Sequence, residues 1–119
     1  YSKSMKTNFK KTPREFTFKN VTIKDNGKIY LENDEMISFV DKNGKECDFA
    51  AKSWGFYVCP SVNGRLKNEG FKTALTCSKE KRLYVLVVDS DKIDDFKNYL
   101  HEQQGKFICW LDEWMEPDY

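Results

Sequence analysis

The chain has 119 residues, 39% of them apolar and 15% aromatic, which suffices for one core of ordinary size and argues against intrinsic disorder. Net charge is only +1, but residues 1–24 carry seven lysines or arginines against one glutamate, whereas residues 89–119 carry nine acids against three lysines. No apolar stretch approaches the roughly 20 residues that a membrane span needs, and the basic N-terminus lacks the apolar segment of a secretory signal, so a cytoplasmic protein without membrane contact is expected.

Residues 1–14 are polar and basic without periodicity and read as a flexible arm ending at Pro13. From Glu15 to Lys24 apolar residues alternate, with Phe16 and Phe18 on one parity and Val21 and Ile23 on the other; the phase change at Lys19 and Asn20 suggests a bulge. Asp25, Asn26 and Gly27 have the composition of a hairpin turn, and a second strand is expected over Lys28–Glu32. Met36–Val40 and Lys45–Ala51 flank Asp41–Gly44, a clear hairpin with Ile37, Phe39, Cys47, Phe49 and Ala51 on its apolar face. Trp54–Cys59 alternates apolar residues on both parities and is expected to be buried on both faces.

Pro60–Gly70 is a long connection with room for a helical turn around Arg65–Asn68. Phe71–Cys77 and the apolar Leu83–Asp89 read as strands joined by a charged loop at Ser78–Arg82, with Leu83–Asp89 expected at the sheet centre. The period then changes: Ile93, Phe96, Tyr99 and Leu100 recur at helical spacing behind Ser90, a suitable N-cap, and Gly105 supplies the stop. An amphipathic helix over about 91–104 follows, then a strand at Lys106–Leu111 and an acidic tail at 112–119.

The expected fold is α+β: a mainly antiparallel, twisted or partly closed sheet of about seven to eight short strands with one C-terminal amphipathic helix. The domain is expected to span 15–111, as a monomer or weak homo-oligomer. Four cysteines, Cys47, Cys59, Cys77 and Cys109, lie 12, 18 and 32 positions apart with His101 as the lone histidine, a spacing that matches no zinc motif. Free thiols are expected, and neither a metal nor another cofactor.

The functional candidates concentrate in 52–72, where Lys52, Arg65, Lys67 and Lys72 accompany Trp54, Tyr57, Ser61 and Asn63 on a glycine-rich loop. Such a loop exposes backbone amides, and an arginine can grip a phosphate or carboxylate through paired hydrogen bonds. The first reading is a non-enzymatic module recognising an anionic small molecule or protein there. Within it, Cys59, five residues and Arg65 form a C-x5-R spacing after an apolar strand. That spacing resembles the phosphate-binding loop of cysteine-dependent phosphatases, and the resemblance implies Cys59 as nucleophile and Arg65 as phosphate holder. A third reading uses the basic N-terminal segment, where Phe9, Phe16 and Phe18 are interleaved with cations in the manner of single-stranded nucleic-acid binders, although Phe16 and Phe18 also suit a core strand.

Overall fold

The computed structural model describes residues 6–58 and 60–113. Among the described residues eight strands fall into three sheets, predominantly antiparallel, with few helices; the fold is α+β, but the single sheet expected from the sequence is replaced by three of two, three and three strands. The described residues cluster into two compact units, 6–36 with 50–56 and 37–49 with 57–58 and 60–113.

The first sheet is a ribbon of β1 (Lys6–Phe18) and β2 (Val21–Tyr30). Lys6–Arg14, read as an arm, belongs to β1. The phase change at Lys19 and Asn20 is a two-residue turn rather than a bulge: Phe18 pairs with Val21 and Phe16 with Ile23, so all four share one face. Lys19 takes the positive φ of 55° that this reversal requires. The real irregularity lies farther along, where Lys10–Pro13 of β1 stand opposite Asn26 alone. Pro13 has no N–H to give a ladder, which suits it to that position. Asp25–Gly27 therefore lies inside β2 and closes no hairpin. Gly27, at φ +127°, passes so close to β1 that a Cβ would sit 2.2 Å from the Asn8 carbonyl oxygen.

The second sheet has the order β3 (Met36–Val40), β4 (Glu46–Lys52), β5 (Gly55–Val58). The β3–β4 reversal is as expected: Asp41 Oδ1 accepts the N–H groups of Asn43 and Lys45, and Gly44 takes φ 85°. Phe39 and Phe49, on the apolar parity, meet edge to face at 5.3 Å. The β5 segment corrects the sequence reading, because Trp54, Phe56, Tyr57 and Val58 are all exposed.

The third sheet has the order β7 (Leu83–Asp89), β6 (Phe71–Cys77), β8 (Lys106–Trp110). The centre is thus β6, and the more apolar β7 is an edge. Ala74 has Leu86 and Trp110 as lateral partners, so these three share a face. Against that face packs α2 (Ile93–Glu102), and Ala74, Val88, Phe96 and Leu100 form the buried cluster with Trp110 and Ile93 at its margin. Truncating Phe96 or Leu100 to alanine is the kind of change that costs about 2–5 kcal/mol.

The helix is shorter than expected. Ser90 donates its hydroxyl to the Gly70 carbonyl instead of capping, and Lys92 holds the N-cap position. At the other end Gln104, with φ 58°, takes the left-handed conformation one residue before Gly105, the expected stop, whose N–H closes on the Leu100 carbonyl at 2.8 Å. The opposite face of β6–β7 is covered at one end by the short helix α1 (Arg65–Asn68), where Leu66 and Phe71 are buried among Cys47, Phe49, Val62 and Val87. No helix among the described residues is long and apolar enough to cross a membrane.

Candidate functional site

The connection after β5 is organised by Ser61 and Gly64. The Ser61 hydroxyl accepts the Arg65 N–H at 2.8 Å and its carbonyl accepts the Leu66 N–H at 3.0 Å, which starts α1. A side chain at Gly64 would bring a Cβ within 2.5 Å of that hydroxyl oxygen. This turn aims the Arg65 guanidinium at carboxylates rather than at open solvent. Nε lies 3.0 Å from Asp48, and the terminal nitrogens lie 3.1 Å from Glu69 and 3.4 Å from Glu46.

Asp48 is buried and also accepts the Ser38 hydroxyl at 2.6 Å; that bond first, and Arg65 second, hold its carboxyl below the usual range. Arg65 is correspondingly pushed above its ordinary value, chiefly by Asp48. An acid between Cys47 and Phe49 falls on the parity that reads as the wet face of β4, so nothing in the local pattern announced its burial.

Beside this network Lys45 donates to Asp89 at 2.6 Å and to the Gly70 carbonyl at 3.2 Å. It also stands 5.8 Å from the centre of the Phe71 ring. Gly70, at φ +94°, leaves room for it, since a Cβ would meet Nζ at 2.9 Å. Lys72 holds a different pair, Asp112 at 2.8 Å and Glu113 at 2.9 Å, and lies 4.8 Å from the centre of the Trp110 ring. Asp112, read as the start of an acidic tail, is buried in a 3-10 turn, Leu111–Glu113.

Of the sequence-predicted site residues, Arg65 and Lys72 serve separate carboxylate groups, and Lys52, at the end of β4, pairs with Asp34. Asn63 and Lys67 are exposed on the loop and on α1, and Trp54 and Tyr57 are exposed before and within β5. Cys59, the other half of the C-x5-R spacing, lies outside the described residues. Cys77 and Cys109 are free thiols.

The ribbon presents the opposite electrostatics. Its residues 6–30 carry seven lysines or arginines against two acids. None of its strand residues is fully buried, and Phe9, Phe16 and Phe18 are 61%, 46% and 68% exposed. Cations stand over several rings: Arg14 is 5.4 Å from the centre of Phe16, Lys19 is 5.7 Å from Phe18, and Lys6 is 5.2 Å from Tyr30. From the sequence Phe16 and Phe18 read more simply as core residues of the first strand, which their exposure corrects. Among the described residues β1 and β2 form a sheet of two strands, and the rings on it are exposed. Comparison with protein-family models, with curated proteins and with solved structures finds no match to this chain.

Proposed function

We propose that the chain is a binding module whose β1–β2 ribbon takes single-stranded nucleic acid. The observation that carries this reading is the exposure of Phe9, Phe16 and Phe18 on a ribbon with seven cations and two acids. Cations neutralise phosphates and release their counterions, while exposed rings offer platforms for unpaired bases. The acidity of the last third bears less on this than the sequence suggests, because Asp89, Asp112 and Glu113 are ion-paired with Lys45 and Lys72, whose two charges offset two of those three. An anionic ligand at Arg65 has weaker support, since it would have to displace Asp48, Glu46 and Glu69 from a charge they already balance.

The test is fluorescence anisotropy with an oligothymidylate at about 50 and 200 mM salt, where each neutralised phosphate contributes about 0.7 to the logarithmic salt slope. Wild type should bind with a marked slope, Phe16→Ala and Phe18→Ala should each lose about 1–3 kcal/mol, the value of one stacked base, and Arg65→Ala should bind like wild type. Failure of wild type to bind at the lower salt, or unchanged affinity in both phenylalanine variants, rejects the reading.

A further inference from the structure

We propose that Lys10 and Arg14, gathered by the β1 bulge, form a phosphate subsite of the ribbon that the Asp25 carboxylate fills until a phosphate of the bound strand displaces it. The inference rests on the ribbon being the binding surface. A regular strand separates residues four apart by about 13 Å, yet Lys10 Nζ and Arg14 Nε stand 3.0 and 3.5 Å from the same oxygen, Oδ2 of Asp25. The four residues facing Asn26 alone make that convergence possible.

The two oxygens of Asp25 have separate tasks. Oδ1 accepts the Gly27 N–H at 3.1 Å and shapes β2 where it passes closest to β1, whereas Oδ2 takes the cations. Glu15, the other acid of residues 6–30, stands opposite Lys24 in the ladder, which leaves Asp25 as the carboxylate at the bulge. Lys10, Arg14 and Asp25 remain partly open, at 39%, 69% and 30% exposure, so the cations are within reach of a ligand. An exposed pair of this kind contributes little to folding, and exchanging a carboxylate for a phosphate there costs little. A phosphate brings the same charge type and more acceptor oxygens to a guanidinium and an ammonium already in place.

Asp25→Asn separates the two tasks, because the amide oxygen can still accept the Gly27 N–H while the charge is gone. With the oligothymidylate as probe, D25N should bind about two- to five-fold more tightly than wild type, the fold-change that releasing an exposed ion pair corresponds to, and Lys10→Gln in the D25N background should cancel the gain. Should the variant lose the ribbon, wild type carries the test alone. The Asp25 carboxyl carbon, followed by NMR, should titrate nearer the ordinary aspartate range in the complex than in the free protein, where hydrogen bonds first from Lys10 and then from Gly27 hold it below. Equal or weaker binding by a folded D25N, or an unchanged Asp25 titration in the complex, overturns the subsite while Phe16→Ala still weakens binding and the ribbon reading stands. Absence of binding by wild type and D25N alike removes both.

Discussion

Lys72 Nζ lies 2.8 Å from Asp112 Oδ2, and Asp112 Oδ1 accepts the Thr73 N–H at 2.9 Å, so one buried carboxylate fastens the 3-10 turn after β8 to the central strand at two consecutive residues. Burial opposes ionisation of both partners, but the hydrogen bonds outweigh it, lowering the Asp112 pKa and raising that of Lys72. Asp112→Ala should therefore destabilise the protein by about 3 kcal/mol, through a buried N–H left without an acceptor and a cation left with one partner instead of two. Asp112→Asn, which can still serve the Thr73 N–H, should lose less. Urea denaturation of the three proteins checks the order, and an alanine variant as stable as wild type would show the bridge to be idle.

Thr73 is itself buried in β6, and its hydroxyl oxygen has no hydrogen-bond partner among the described residues. Valine has nearly the same shape without the hydroxyl. Thr73→Val should raise stability by about 1 kcal/mol, the lower end of the penalty for an unsatisfied buried polar group. A rise in the urea midpoint at unchanged slope is the expected signature, and a fall would mean that the hydroxyl is satisfied in solution.

Gly27→Ala tests the ribbon. The added Cβ would have to occupy space 2.2 Å from the Asn8 carbonyl oxygen and 2.7 Å from the Phe9 Cα, both backbone atoms that cannot swing aside. Amide exchange should quicken throughout Lys6–Tyr30 while protection of α2 and β6 stays at the wild-type level. Uniform protection in the variant would contradict the close approach of β1 and β2.

The pH dependence follows from the same bridges. Asp48, Asp89 and Asp112 all have folded pKa values below the ordinary 3.8, so their contribution is complete above that value and is lost as pH falls through the lowered folded values. Lys45, raised mainly by its bond to Asp89, and Lys72, raised by Asp112 and Glu113 against the effect of burial, act at the other end. Their contribution is complete below 10.5 and is lost as pH rises through the raised folded values. Urea midpoints measured across the range should be level between these limits and decline beyond both.

The sequence made some of this architecture legible and hid the rest for identifiable reasons. The β3–β4 hairpin, the helical turn at Arg65–Asn68 and the Ser78–Arg82 loop were readable because side-chain alternation and turn chemistry agree there. The ribbon was misread because Asp25–Gly27 carries stronger turn chemistry than Lys19–Asn20, and only the cross-strand pairing of Phe16 with Ile23 and Phe18 with Val21 settles which pair reverses the chain. In the third sheet Leu83–Val88 looked central by composition, whereas the true centre contains Thr73 and Thr76, whose burial depends on neighbours that come later in the chain.

At the candidate site the residue types were visible but their commitments were not. Arg65 and Lys72 stood out as cations on a polar loop and strand. Their carboxylates come from Asp48, 17 positions before Arg65, and Asp112, 40 positions after Lys72, a separation no local pattern reports. Asp25 escaped notice for the opposite reason, since its turn-like neighbours concealed its place between two cations.

The edge position of β7 also determines how this protein goes wrong when concentrated or partly opened. Leu83–Val88 is six apolar residues in succession, with no proline and no charge before Asp89, and among the described residues one side of the strand has no neighbour in its sheet. Natural edge strands are ordinarily interrupted by a lysine, a proline or a bulge that prevents one copy from templating another. Here Arg82 and Asp89 guard only the ends. Loss of native packing would offer this strand as the nucleus of an aggregate, and a single lysine in place of the exposed Val85 would be the least disruptive gatekeeper.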